Sequence, residues 1–216
     1  MTSLTALDLS LTATGLFHGD PLDPSIPWHA EEIATPDRKT GEGDVSWNAR
    51  RFDAFSGKLL AHLEQFSPRL VVLEVTGHAH QFYTRDGERQ STSRGQEFRA
   101  GLGLGRALGW IDGTLVLAAA YGYGPARTDT IEARDAKLRV TGNQGASKAT
   151  VRAKLKELFG WDTADWKESE VDALAAGLGW VRQQALLAHE QRIRAQGEAQ
   201  AARRRAPRRI RPRILG

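Results

Sequence analysis

The sequence predicts an α/β fold in which a single domain is built on a mixed five-stranded sheet flanked by helices. Near the N-terminus, short apolar runs separated by turn residues indicate an antiparallel meander of strands. Residues 70–75 form a continuous β-rich apolar run, which is typical of a strand buried on both faces of a sheet. Segments with helical spacing follow in alternation with strands, and 216 residues are enough for one domain with a proper core.

The first predicted strand, residues 4–9, contains a single acidic residue, Asp8, near its end. Small and hydroxylated residues then form a tight turn, a second strand resumes at residues 15–17, and residues 28–35 form a third. A lone carboxylate in a buried strand is costly unless it is paired or binds a metal. Asp is also a common turn residue, so the meaning of Asp8 depends on whether other carboxylates lie near it.

The middle of the chain predicts a helix, a central strand and a second long helix. Apolar residues at helical spacing cover residues 45–66, and a Ser-Pro pair ends that helix. The strand at residues 70–75 again carries one carboxylate near its end, Glu74. Residues 76–95 are polar and predict a loop. Residues 96–120 are apolar with helical spacing and many glycines, which indicates close packing in the core.

The last third of the chain predicts one more strand, at residues 123–130, and a short helix directly after it. Ser147 is positioned to cap a helix over residues 148–159. Ser169, with an acid three residues later, predicts the start of a last core helix that runs to about residue 189. Beyond that point the sequence predicts first a helical extension and then disordered Arg/Pro-rich chain.

Charge divides the chain into an acidic-leaning domain, residues 1–188, and a basic tail, residues 189–216. The tail contains nine Arg and two Glu, a net charge of +7, whereas the total for the chain is +4. Such a tail suggests an anionic polymer as partner, and the forked donors of Arg suit phosphate. The alternative is a solubilising or merely disordered end.

The composition excludes several classes of protein. There is no Cys, so disulfides and thiolate metal sites are excluded. No run reaches the roughly 20 apolar residues of a membrane span, and the N-terminus lacks the basic and apolar regions of a secretory signal. These features favour a cytoplasmic protein with no membrane partner.

Three carboxylates are expected to converge at one end of the sheet. The first and fourth strands can lie side by side, so Asp8 and Glu74 would meet outside the strand ends. Asp172 lies on the last core helix, where small residues one turn later allow a close approach to the sheet. Such acids repel one another unless a cation is bound, and oxygen ligands favour Mg²⁺ or Mn²⁺. Two such ions roughly 4 Å apart would activate a water and stabilise the leaving oxygen of a phosphodiester.

Four short motifs occur in order along residues 5–179. They are Asp8 with Ser10 and Thr14-Gly15, then Leu73-Glu74, then Val140-Thr141-Gly142-Asn143 through Lys148, then Asp172-Ala173-Leu174-Ala175. Together they resemble the motifs of RuvC-type Holliday junction resolvases, which have the RNase H-like fold. The resemblance implies a homodimer that nicks two opposed strands of four-way junction DNA symmetrically. It also implies two Mg²⁺ ions as cofactors, with Mn²⁺ as a substitute.

The resemblance also implies roles for individual residues. Asp8, Glu74 and Asp172 would be catalytic metal ligands. The family usually places a fourth ligand at the position of Ser169, so we assign that role to Glu168, with Asp165 and Glu170 as weaker candidates. An aromatic that wedges into the junction is expected at the position of Gly77, so Phe82 or Tyr83 would replace it. The full set of predicted DNA contacts is Lys148, Phe82, Tyr83, Arg85, Arg203, Arg204 and Arg205.

Other functions fit the sequence less well. ATP-binding proteins of the actin and hexokinase type also begin with an Asp-bearing hairpin, but they need two such domains and a second phosphate-binding hairpin, which this chain lacks. A non-catalytic nucleic-acid binder of the same fold would be expected to lack a central acid, whereas three are present. A ribonuclease H-like enzyme and a less selective branched-DNA nuclease remain open alternatives.

Overall fold

The protein is described by a computed structural model, which covers residues 3–10, 12–75 and 94–205. The five strands of its sheet are β1 (Leu4–Asp8), β2 (Ala13–Gly19), β3 (His29–Ala34), β4 (Leu70–Val75) and β5 (Arg127–Glu132). Their order across the sheet is β3-β2-β1-β4-β5. The first three strands pair antiparallel, whereas β4 pairs parallel with both β1 and β5. The predicted α/β fold with a mixed five-stranded sheet is therefore confirmed.

Within the described residues, five helices follow or connect the strands. They are α1 (Asp44–Phe66), α2 (Arg94–Ala120), α3 (Ala133–Thr141), α4 (Lys148–Phe159) and α5 (Glu168–Arg205). The chain divides into two compact units, Met1–Val181 and Arg182–Gly216, and the whole sheet belongs to the first. The predicted boundary after residue 188 stays a prediction. No helix in the described part of the chain combines the length and the apolar character that a membrane crossing requires.

Apolar side chains cover both faces of the sheet, because successive strand residues point to opposite sides. On one face, Leu7 packs in a cluster with Leu59 of α1. On the other face, Ala6 and Val72 pack in a cluster with Ala176 of α5. Full burial of a leucine side chain stabilises a protein by about 1.5–3 kcal/mol. Because a strand turned over would expose its buried residues, this alternation determines which face of each strand turns toward α5.

The turn between β1 and β2 brings the start of α5 against the sheet. Thr14 donates from Oγ1 to the Ser10 carbonyl at 2.9 Å, which ties the two ends of the turn together. Gly15 is the next residue, and a Cβ built on it would lie only 1.9 Å from the Ser169 carbonyl oxygen. Any side chain at this position would push α5 away. The Thr-Gly pair of the first motif therefore has a packing role, which is to admit the α5 backbone.

Some predicted helix and strand ends differ from the structure. Ser169 does not cap α5, which begins at Glu168; its Oγ donates to Glu32 Oε2 at 2.8 Å. The hydrogen bond at the start of α5 is instead made by a carboxylate oxygen of Glu170, which accepts from the backbone N–H of Lys167 at 2.9 Å. The strand predicted at residues 123–130 is β5, which starts at Arg127; only Ile131 of this edge strand is buried, so its sequence pattern is weak.

Other predicted boundaries agree closely with the structure. The Ser147 cap is confirmed, since its Oγ accepts the Thr150 N–H at 3.2 Å and α4 covers the predicted residues. Helix α4 ends at Phe159, and its C-cap, Gly160, is in the left-handed conformation with φ of 75°. The Ser147 cap fixes the start of α4, whose first residue, Lys148, pairs with two acids of α5.

Candidate active site

Asp8 and Glu74 lie at the same end of the sheet, on neighbouring parallel strands. They are register partners in the pairing of β1 with β4, and paired strands are about 4.8 Å apart. Each follows a residue of the α5-facing cluster by two positions, Ala6 in β1 and Val72 in β4. Both carboxylates therefore point toward α5.

Asp172 supplies the third carboxylate of this group. It lies in the first two turns of α5, where the close approach at Gly15 holds the helix on the sheet. Its side chain is only 17% exposed. The charge of Asp172 acts on both strand acids, since it raises the pKa of Asp8 and of Glu74. The structure thus brings the three predicted acids into one electrostatically coupled group.

Burial makes this group costly to ionise. Desolvation, followed by the charges of Asp8 and Asp172, raises the pKa of Glu74 to about 8. Desolvation, followed by the charge of Asp172, raises the pKa of Asp8 to about 6. The positive charges of Lys137 and Lys148 act in the opposite direction on both groups, but they do not compensate for burial. At Asp8 and Glu74, burial and the repulsion between acids therefore outweigh the two lysines.

Lys148 joins the fourth predicted acid to this group. Its Nζ lies 2.7 Å from Glu168 Oε2 and 3.1 Å from Asp172 Oδ2. Glu168 is largely exposed, and its hydrogen bond with Lys148 lowers its pKa. Glu168 and Asp172 are four residues apart, which places both on one face of the helix. The structure therefore positions Glu168 beside Asp172 through a shared lysine.

Two charged residues near the acids were not predicted from the sequence. Glu32 is the register partner of Gly15, which in turn pairs with Asp8, so Glu32 lies in the same cross-strand row. It accepts hydrogen bonds from Lys167 Nζ and from Ser169 Oγ, and these bonds, that of Lys167 first, lower its pKa. Glu32 thereby anchors the start of α5. Nothing in the sequence distinguishes Glu32 from the adjacent Glu31, and only the strand register aligns Glu32 with Asp8.

Lys137 is the second residue that sequence reasoning missed. It lies on α3 and lowers the pKa of both Asp8 and Glu74 through its charge. No local pattern distinguishes it from the other basic residues of the chain. Its position beside the acids depends on how α3 packs after β5, which is a property of the tertiary structure.

Most of the predicted DNA contacts fall outside what the structure describes. Phe82, Tyr83 and Arg85 lie outside the described residues. The backbone of Arg203, Arg204 and Arg205 belongs to the end of α5, but their side chains are not described. Among the predicted contacts, Lys148 alone has a described side chain, and it is paired with the two acids of α5.

The donor chemistry of the acid group fits a hard divalent cation. All of its ligand atoms are carboxylate oxygens, which Mg²⁺ and Mn²⁺ prefer. The raised pKa values of Asp8 and Glu74 are a second observation in favour of a cation, because a bound ion would remove the penalty for ionising them. Asp8, Glu74 and Asp172 are the residues that would hold it, with Glu168 at the exposed side.

Comparisons with known proteins identify the fold. No family model and no curated protein matches the sequence. Solved structures do match, among them T. thermophilus RuvC in complex with a Holliday junction substrate and a Thermus thermophilus RuvC structure. Both are 19% identical to this chain. The match to the complex has a TM-score of 0.58 and covers 85% of this chain and 97% of the RuvC chain. The match to the second structure has a TM-score of 0.54 and covers 86% of this chain and 96% of the RuvC chain. The predicted resemblance to RuvC is confirmed at the level of the fold, which is RNase H-like.

Proposed function

We propose that this protein is a metal-dependent endonuclease that resolves four-way DNA junctions. The observation that carries the proposal is the convergence of Asp8, Glu74 and Asp172 at one end of the sheet, where burial and mutual repulsion raise the pKa of Asp8 and of Glu74. The likeness to a RuvC structure that holds a Holliday junction substrate supports this choice of substrate. The protein would act as a homodimer that nicks two opposed strands at symmetric positions.

The four acids would hold two Mg²⁺ ions, and Mn²⁺ would substitute for them. When bound, such ions activate a water and stabilise the leaving oxygen of the phosphodiester. The protein's own contribution is to hold Asp8 and Glu74 on adjacent strands and Asp172 on a helix packed against them. Rigid elements position ligands more accurately than loops do. Burial also keeps the local dielectric low, which strengthens every charge interaction in the site.

Lys148 would contact the phosphate next to the cleaved bond. Its ammonium group already lies within 3.1 Å of Asp172, one of the proposed ligands. With metal ions bound, Glu168 and Asp172 would direct their charge toward the ions, and the lysine would be free to pair with DNA phosphate. The same lysine thus compensates the acids without metal and binds substrate with metal.

A panel of substrates tests the proposal. Four-way junction, flap, plain duplex and RNA–DNA hybrid are incubated side by side with Mg²⁺ and with Mn²⁺. We expect paired symmetric nicks in the junction and little cleavage of the others. Faster cleavage of flaps would favour a branched-DNA nuclease, and faster cleavage of the hybrid would favour a ribonuclease H. Sedimentation of the free protein tests the homodimer directly.

Point variants test the residues of the site. Asp8→Asn, Glu74→Gln and Asp172→Asn should each abolish cleavage and retain binding to the junction, since each removes a proposed metal ligand and no basic residue. Asp53→Asn is a matched control, because Asp53 is an exposed acid on α1, and it should cleave at the wild-type rate. If one of the three site variants cleaves as fast as the wild type, the residue changed in it is not part of the catalytic site.

A further inference from the structure

A second group of metal-ligand side chains lies on the other face of the sheet. His29 and Glu31 are two residues apart on β3, so they share a face, and Glu31 is the register partner of Leu16. Leu16 packs in the cluster of α1 and α2, whereas the Asp8 carboxylate points toward α5. His62, near the C-terminal end of α1, meets the two β3 side chains from above the sheet.

The distances in this group match those of a tetrahedral metal site. Glu31 Oε1 lies 3.5 Å from His29 Nε2 and 3.6 Å from His62 Nδ1. The three donor atoms all lie within 4.8 Å of one another. Nitrogen and oxygen ligands bind Zn²⁺ at about 2.0–2.2 Å, so neighbouring ligands of a tetrahedral ion are roughly 3.4 Å apart. Small rotations of the side chains would bring the three atoms into range of one ion.

His62 provides independent evidence that a ligand belongs here. Its side chain is 1% exposed, and its Nδ1 has no hydrogen-bond partner among the described residues. Buried polar atoms are nearly always satisfied. Burial, followed by the charges of His18 and His29, lowers the pKa of His62 to about 3, which favours the neutral ring that binds metal ions.

Neither neutral form of His62 explains the contact with Glu31. If Nδ1 carries the proton, its distance of 3.6 Å to Glu31 Oε1 is too long for a good hydrogen bond. If Nδ1 carries the lone pair, two acceptors face each other. In that second form the protonated Nε2 contacts Thr5 Oγ1 at 3.2 Å, and the same hydroxyl contacts His18 Nδ1 at 3.0 Å. Such outer hydrogen bonds are typical of histidines that bind metals.

We propose that His29, Glu31 and His62 form a second metal site, for a borderline divalent ion of the Zn²⁺ class. Two imidazoles and one carboxylate suit Zn²⁺ rather than Mg²⁺, which prefers oxygen ligands alone. The side chains of His29 and Glu31 are 41% and 35% exposed, so water can reach the fourth position. The ion would link β3 to the end of α1 and stabilise the folded state, since the unfolded chain has no such site.

The proposal is tested by measuring zinc binding to the full chain, without a histidine tag, in competition with a chromophoric chelator. The parent for all measurements is Asp8→Asn/Asp172→Asn, which removes two of the four proposed ligands of the acid group. We expect one Zn²⁺ per chain in this parent, and at least tenfold weaker binding after His29→Gln or Glu31→Gln. Both residues are partly exposed, so these variants should fold, which circular dichroism checks.

Two controls and a second readout make the outcome decisive. Glu64→Gln, at an exposed acid of α1, should bind zinc like the parent. So should the double change His78→Gln/His80→Gln, which removes two histidines outside the described residues. Co²⁺ bound by imidazole should give visible absorption bands that His29→Gln removes. Absence of zinc binding in the parent, equal binding after His29→Gln, or loss of binding in the His78/His80 variant would each overturn the proposal.

Discussion

Replacing Gly15 with alanine tests whether contact between the sheet and α5 positions the proposed site. Gly15 is not one of the glycines with positive φ, so its backbone accepts alanine, and the obstacle is steric alone. The added Cβ would lie 1.9 Å from the Ser169 carbonyl oxygen, about 1.5 Å short of an ordinary contact of 3.4 Å. The obstacle is backbone, which cannot rotate aside, so the start of α5 must move away from β2.

That movement should be costly for both stability and activity. Overpacking a well-packed interior destabilises a protein by roughly 1–3 kcal/mol. A displacement of about 1 Å at a catalytic site can lower the rate by about 100-fold, and here it would separate Asp172 from Asp8 and Glu74. We therefore expect Gly15→Ala to lower the free energy of unfolding by about 2 kcal/mol and junction cleavage by at least about 100-fold, with junction binding largely retained.

The measurements are urea unfolding followed by circular dichroism, single-turnover cleavage and gel-shift binding, all at a temperature where both proteins are folded. Gly57→Ala is the matched control, because a Cβ on Gly57 of α1 would meet nothing within 4 Å. It should stabilise the protein by roughly 0.5–1 kcal/mol and leave cleavage unchanged. A folded Gly15→Ala protein that cleaves at the wild-type rate would refute the idea that this contact positions the acids.

Three further predictions concern the acids and the tail. Without divalent metal, the free energy of unfolding should fall as pH rises from about 4.5 to about 8, because Glu74, with a raised pKa, keeps a proton in the folded state that the unfolded chain releases. Urea titrations in EDTA should show that Glu74→Gln removes most of this fall in stability. If the variant keeps the wild-type pH profile, Glu74 is not the group responsible. Glu168→Gln should lower cleavage more than Glu170→Gln or Asp165→Asn, because Glu168 shares a lysine with the third acid, whereas Glu170 accepts a backbone N–H. Equal, mild effects in a cleavage assay would mean that the fourth ligand lies elsewhere. Deleting residues 199–216 should weaken binding to junction and duplex alike and reduce the slope of log K against log salt by roughly 0.9 per lost phosphate contact. Fluorescence anisotropy at several salt concentrations measures this, and a loss confined to the junction would show that the tail recognises structure.

The sequence by itself predicted the fold class and the three central acids. Strand and helix patterns are local, so an apolar run such as Leu70–Val75 can be recognised without knowledge of its neighbours. The order of the strands then implied that β1 and β4 lie together, which made Asp8 and Glu74 candidates for one site. The Ser147 cap could also be predicted, because a cap depends only on residues within one helical turn.

Only the tertiary structure decided which charged groups meet around those acids. Strand register aligned Glu32 with Asp8, and helix packing brought Lys137 and Lys148 to the acids from α3 and α4. Ser169 has the sequence signature of a cap, yet its hydroxyl donates to the Glu32 carboxylate instead. A hydrogen bond to a charged group is stronger than one between neutral groups. The partners of such side chains lie far away in sequence, so local patterns carry no information about them.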